Sequence, residues 1–195
     1  MDSAIQDFRP TAIVVMGVSG CGKSSVGEAC SKALGWALLE GDAYHSPESI
    51  AKMRGGIALT DADRAGWLLR LSDLLRQRQP GEGVVLTCSA LRRKYRDSLR
   101  AGHAQLSFVF LALDYHDALA RVRERPGHFF SPTLVADQFA TLESPAGEPG
   151  VLVLDARLPL DTLVAAVLDW LAPQACGSSG RESTTPITPM TGDTA

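Results

Sequence analysis

A glycine stops the first apolar run of this chain. Ala12 to Met16 reads as a short buried strand, and it leads directly into Gly17-Val18-Ser19-Gly20-Cys21-Gly22-Lys23-Ser24. A helical pattern begins at once behind it. Val26, Ala29, Cys30, Ala33 and Leu34 recur at helical spacing, and Gly35 stands where a C-cap belongs. The residues between strand and helix match G-x-x-x-x-G-K-[ST], and the physics of that spacing is specific. Glycines permit positive φ and bring backbone N–H groups close to phosphate oxygens. The new helix points the positive end of its dipole at the same anion. Lys23 adds a mobile charge for the β- and γ-phosphates, and the Ser24 hydroxyl is placed to ligate Mg²⁺. Gly17 through Ser25 is therefore expected to hold a nucleoside triphosphate. A chance match in a glycine-rich turn would lack the strand before it and the helix after it.

The rest of the chain repeats this alternation. Further strands are expected at Trp36–Leu39, Val84–Thr87, Ser107–Leu111 and Val151–Leu154, which makes five. Thr60 with Asp63 three residues on forms an N-cap and box, opening a helix with Trp67, Leu68, Leu71, Leu74 and Leu75 on one face. Other helical patterns cover Lys94–Arg100, His116–Arg123, Thr133–Leu142 and Leu160–Leu171. Short continuous apolar strands separated by helices imply a parallel five-stranded α/β sheet with helices on both faces, a three-layer sandwich. Right-handed crossovers then gather the loops that follow the strands on one sheet edge.

Composition narrows the function classes. A net charge of −3 and a pI near 5.8 argue against a nucleic-acid binder. No apolar run approaches the roughly 18 residues of a membrane span. The first residues carry Asp2 and Asp7 and no apolar stretch, so they make a poor signal peptide, and a cytoplasmic enzyme is expected. Cys21, Cys30, Cys88 and Cys176 form no CxxC pair and read as free thiols. Cys21 is either a small side chain filling the loop or an oxidisable thiol beside the nucleotide. The domain is expected over residues 12–172, behind an N-terminal extension at 1–11. Residues 173–195 are expected to be a disordered tail, since 14 of those 23 are Ser, Thr, Pro or Gly, and too little apolar surface remains to offset ordering entropy.

Other residues on the loop edge offer chemistry. Glu40 and Asp42 follow the second strand, where Glu40 could approach Mg²⁺ through water and Asp42 could take a proton from an attacking hydroxyl. A solvated turn is the bland alternative. Arg121 and Arg125 stand four apart before Pro126 and Gly127, which suits a lid over ATP at about 121–132, against a plain surface helix. Arg92 and Arg96 share a helix face near the third strand and could meet an anionic substrate. The remaining charge of "LRRKYRDSLR" reads as a solvated face. His45, His103, His116 and His128 lack metal spacing, and only His45 and His128 fall in the functional loops.

Six segments in order, "MGVSGCGKS", "GDAYH" with "KMRGG", "LTDADRAGWL", "CSALRRKYRDSLR", "RERPGHFF" and "QFATLESP", resemble the gluconate kinase (gluconokinase) family from about Ala12 to Leu171. These are small P-loop kinases with a fold similar to nucleoside monophosphate and shikimate kinases. The resemblance implies ATP- and Mg²⁺-dependent phosphorylation of D-gluconate at its terminal hydroxyl. It implies Lys23, Asp42, Arg121 and Arg125 as catalytic, with Gly17, Val18, Ser19, Gly20, Cys21, Gly22, Lys23, Ser24 and Ser25 around ATP. Ser24 and Glu40 are implied on the Mg²⁺ side. His45, Lys52, Arg54, Arg92, Arg96 and His128 are implied around the acceptor. Where such kinases more often carry Asp-Gly-Asp, this chain has Glu40-Gly41-Asp42.

Two other readings compete. A shikimate-type kinase shares the fold, but the long segment from Lys52 to Arg64 between the second strand and the next helix argues against it. A nucleotide-dependent switch would need a base-reading N-K-x-D, and the chain contains no asparagine. A homodimer is allowed by the sequence and not dictated by it.

Overall fold

All five apolar runs become strands of one parallel sheet in the computed structural model, which describes residues 10–79, 81–124 and 131–172. They are β1 (Ala12–Met16), β2 (Ala37–Glu40), β3 (Val84–Thr87), β4 (Leu106–Ala112) and β5 (Val151–Asp155), ordered β2-β3-β1-β4-β5. The second strand starts one residue later than expected and takes in Glu40. Residues 1–9 and the expected tail at 173–195 lie outside the described residues, as do Arg125, Pro126, Gly127 and His128.

Successive side chains of a strand point to opposite faces, so each strand feeds two cores. Ile13, Val15, Val85, Val109 and Leu111 pack with Val26 and Cys30 of α1 (Lys23–Leu34) and with Leu163 and Val167 of α7 (Leu160–Leu171). Val14, Met16, Leu86, Phe108 and Phe110 face the other way. They pack with Trp67, Leu71 and Leu75 of α3 (Asp61–Arg76) and with Leu99 of α4 (Arg93–Arg100). Both faces are covered, which is why these strands read as continuous apolar runs.

β1 lies at the centre, paired with β3 on one side and β4 on the other. The chain leaves β1 toward the β2 edge and leaves β3 toward β4, so the direction of winding reverses beside β1. Ligands of open parallel sheets sit in the crevice beyond the strand ends at such a point.

The Thr60 cap of α3 is present as expected: Thr60 Oγ1 accepts from Asp63 N at 3.2 Å and Asp63 Oδ2 accepts from Thr60 N at 2.9 Å. One helix went unpredicted, α2 (Pro47–Arg54), capped by Ser46 with proline at its start. It buries only Ser49 and Met53, so it shows no apolar stripe to read. The expected run at 133–142 is a 3₁₀ turn (Pro132–Leu134) followed by α6 (Val135–Thr141), and α5 spans Tyr115–Arg123. Among the described residues, no helix is long and apolar enough to cross a membrane.

Candidate active site

The phosphate loop forms because its glycines sit where side chains cannot. Gly17 has φ 142°, and a Cβ there would lie 2.8 Å from both the Leu111 carbonyl and the Cys21 sulfur. Cys21 is 1% exposed and its pKa is raised by burial, so it fills the loop as a packed thiol. Gly22 caps α1 in the left-handed conformation, and the Lys23 ammonium donates to Val18 O at 3.0 Å. Arg121 is anchored from α5, donating to Ala156 O at 3.1 Å and to Gly20 O at 3.5 Å. It thus joins the phosphate loop to the turn after β5.

Glu40 and Asp42 flank a glycine for a steric reason. A Cβ on Gly41 would meet the Thr87 carbonyl at 2.2 Å, so only glycine lets β2 pass the end of β3. The Glu40 carboxylate accepts from Thr87 Oγ1 at 2.6 Å and from Ser24 Oγ at 3.2 Å. A carboxylate and a hydroxyl beside a phosphate loop are the hard oxygen donors that Mg²⁺ prefers. Among the described residues there is no group of three His, Cys, Asp or Glu that could hold a metal ion.

A cleft opens beside the loop, with Asp42, His45, Arg64, Trp67, Ser89 and Gln138 among its walls. Ser19, Lys23 and Asp42 line both this cleft and the hollow over the phosphate loop, so the two meet there. Trp67 braces the Asp42 turn by donating its indole N–H to Gly41 O at 2.8 Å. It also stacks on His45 at 4.2 Å between centroids. The His45 side chain is 6% exposed and 4.0 Å from Asp42 Oδ1, and its Nδ1 has no partner among the described residues. Burial lowers its pKa, Asp42 opposes this and Arg64 reinforces it, so the imidazole is held toward its neutral form.

Several expected cations are elsewhere. Arg96 is fully buried, paired with Glu148 at 2.5 Å, and donates to Ala90 O at 2.9 Å and Leu91 O at 3.2 Å. It supports the loop after β3, where Ala90 holds a φ of 44°, and has no surface left for an acceptor. Arg92 points to Asp61 at 3.2 Å. Lys52 is held by Asp63 at 2.6 Å, tying α2 to α3, and Arg54 is exposed at the end of α2. None of the four lines the cleft.

Besides Lys23, the cation that lines it is Arg64, which the sequence pattern did not single out. It donates to Leu59 O at 2.6 Å and lies 5.7 Å from the Tyr95 ring. The signal was available: Arg64 stands three residues before Trp67 on a capped helix, so both face one way. Leu134, Asp137, Gln138 and Thr141 also line the cleft, at i, i+3, i+4 and i+7 along the turn and α6.

Comparison with known proteins places this arrangement. The chain is 44% identical over 162 residues to a gluconokinase of Gluconobacter oxydans (strain 621H), across 83% of this chain and 91% of that protein. The chain belongs to the gluconokinase family. A crystal structure of a gluconokinase from Sinorhizobium meliloti 1021 superposes with a TM-score of 0.76 at 46% identity, covering 85% of this chain and 93% of that one. The shikimate kinase family model also matches, over residues 19–144. The shikimate kinase of Aquifex aeolicus vf5 superposes with a TM-score of 0.53 at 18% identity over 82% of this chain and 95% of that one, a likeness of fold alone. Gluconokinase-family membership and the shikimate kinase match therefore agree on one P-loop kinase domain.

Proposed function

We infer that this chain is an ATP-dependent phosphotransferase that converts D-gluconate to 6-phospho-D-gluconate and ADP. The observation that carries the reading is the junction of two hollows at Ser19, Lys23 and Asp42, with Arg64 as a separate cation in the acceptor cleft. A nucleotide held by the loop presents its γ-phosphoryl group at that junction. The acceptor hydroxyl oxygen attacks phosphorus, its O–P bond forms, and the bond from the γ-phosphorus to the β–γ bridging oxygen breaks. The hydroxyl proton passes to Asp42, and ADP leaves with the electron pair. Lys23 offsets charge on the transferring oxygens, as does Arg121 from the side of the phosphate loop.

Ser24 and Glu40 are the residues that would hold Mg²⁺, with Thr87 fixing the carboxylate. The ion when bound neutralises phosphate charge. Arg64 suits the substrate carboxylate, and the neutral polar groups Ser89 and His45 suit a row of hydroxyls. An extended sugar acid, with an anion at one end and a primary hydroxyl at the other, matches a cleft whose acid and cation are different residues. The buried thiols Cys21, Cys30 and Cys88 are free, which fits a reducing cytoplasm.

The test is kcat/KM for gluconate, glucose and shikimate at saturating Mg-ATP. Gluconate should exceed glucose by about a hundredfold or more, since glucose leaves a half-buried guanidinium unpaired. Asp42→Asn should lower kcat by about 10²–10⁴ with nucleotide affinity unchanged. Equal use of glucose, or a preference for shikimate, refutes the reading.

A further inference from the structure

The junction between the two hollows is bridged by a residue to which the reaction above assigns no step. Gln138, on α6, has its carboxamide oxygen 2.6 Å from the backbone N–H of Ser19, a residue 119 positions away in the chain. That contact fixes the orientation of the amide. The Ser19 N–H can only donate, so the group facing it is the oxygen, and the NH₂ of the same planar carboxamide faces away. Gln138 lines the acceptor cleft, and Ser19 lines both hollows. Arg64 and Lys23 supply positive charge to the cleft, and Asp42 and Asp137 supply negative charge. A polyol between them needs neutral donors fixed in direction, and an amide clamped by the phosphate loop is one.

We propose that Gln138 is an acceptor-binding specificity residue. Its NH₂ donates to one secondary hydroxyl oxygen of the sugar acid, and its oxygen, held by Ser19 N–H, ties that contact to the loop that positions the γ-phosphate. The acceptor is thereby registered against the phosphoryl group it will attack, a geometric contribution of the kind that sets effective molarity. The proposal deepens the gluconate reading and rests on it.

The test pairs variants with altered substrates. Wild-type protein, Gln138→Ala and the near-isosteric Gln138→Met are compared on gluconate and on deoxy-gluconates each lacking one secondary hydroxyl. Nucleotide affinity is measured on the same three proteins. With wild type, one deoxy analogue should lose about tenfold or more in kcat/KM, the scale of one neutral hydrogen bond whose partner is stranded. With either variant that analogue should suffer no further loss relative to gluconate, while the penalties for the other analogues persist. Nucleotide affinity should stay within about twofold, because the charged and backbone donors of the loop remain. Equal penalties for every analogue in all three proteins overturn the proposal. So does a loss confined to nucleotide affinity, which would make Gln138 a prop for the loop. A wild-type protein that does not turn over gluconate instead overturns the underlying reading, and does so before any variant is compared.

Discussion

Lys23 holds its ammonium 3.0 Å from the Val18 carbonyl, inside the loop and away from both cores. Its charge serves a ligand more than the fold. Lys23→Ala is expected to change stability by less than about 0.5 kcal/mol and to lower phosphoryl transfer by about 10²-fold or more, checked by denaturation and single-turnover kinetics. Near-normal turnover in a folded variant would remove the loop from the chemistry. Arg96 is the converse case. With no exposure and a carboxylate, two carbonyls and the Ala90 turn depending on it, its removal leaves the Ala90 and Leu91 carbonyls without their donor and Glu148 to Arg100 alone, at 2.9 Å. Arg96→Ala should cost about 2–4 kcal/mol of folding stability in urea titration, from the stranded carbonyls and the cavity left behind. An unchanged midpoint with lost gluconate affinity would return Arg96 to the substrate, where the sequence pattern alone had placed it.

At the scale of elements, the N-terminus of α3 is the joint of the cleft beside the phosphate loop. It carries Arg64 and Trp67, and two carboxylates hold it in place. Asp61 accepts from Lys94 and the Tyr95 hydroxyl, with Arg92 nearby, and Asp63 accepts from Lys52 and Thr60. These hydrogen bonds hold both carboxyls down to about 2. A carboxylate depressed in the folded state contributes stability above its unfolded pKa, about 3.9 for Asp, and loses it as pH falls toward the folded value. Asp63→Asn should therefore melt below wild type at pH 6. The gap should close between about pH 4 and 2, as wild type loses what the variant never had. A gap that stays constant across that range would mean the Asp63 charge is not part of the joint. Strands, caps and the longer helices were legible because each is written in neighbouring residues, as with Thr60 and Asp63. α2 and the broken start of α6 were not, because they are short and bury little.

For the whole molecule, the last helix closes the fold. Leu163 and Val167 of α7 complete the core over α1, together with Cys30 and Val26. Ending the chain at Ala172 keeps that helix intact and removes a segment poor in large apolar side chains. The melting midpoint should move by less than about 0.5 kcal/mol in equivalent stability. Ending it at Leu158 should abolish cooperative unfolding, since it uncovers α1 and the part of that sheet face which Leu163 and Val167 seal. A large loss from the first truncation would show that residues beyond Ala172 pack on the domain.

The sequence by itself determined the five strands, the phosphate loop with Lys23 and Ser24, and Glu40 and Asp42 as its neighbours. All of these are consequences of local spacing: apolar runs, glycines where φ is positive, and turns that follow strands. Tertiary structure alone decided which charges line the cleft beside the phosphate loop. Arg96 answers to Glu148, 52 residues away, and Gln138 to Ser19, 119 residues away, and no periodicity within a helix records either partner. A helix pattern states which face a side chain is on. What lies opposite that face is settled only when the sheet order β2-β3-β1-β4-β5 brings distant loops to one edge, where a charge either finds a partner and is spent on the fold or remains free for a ligand.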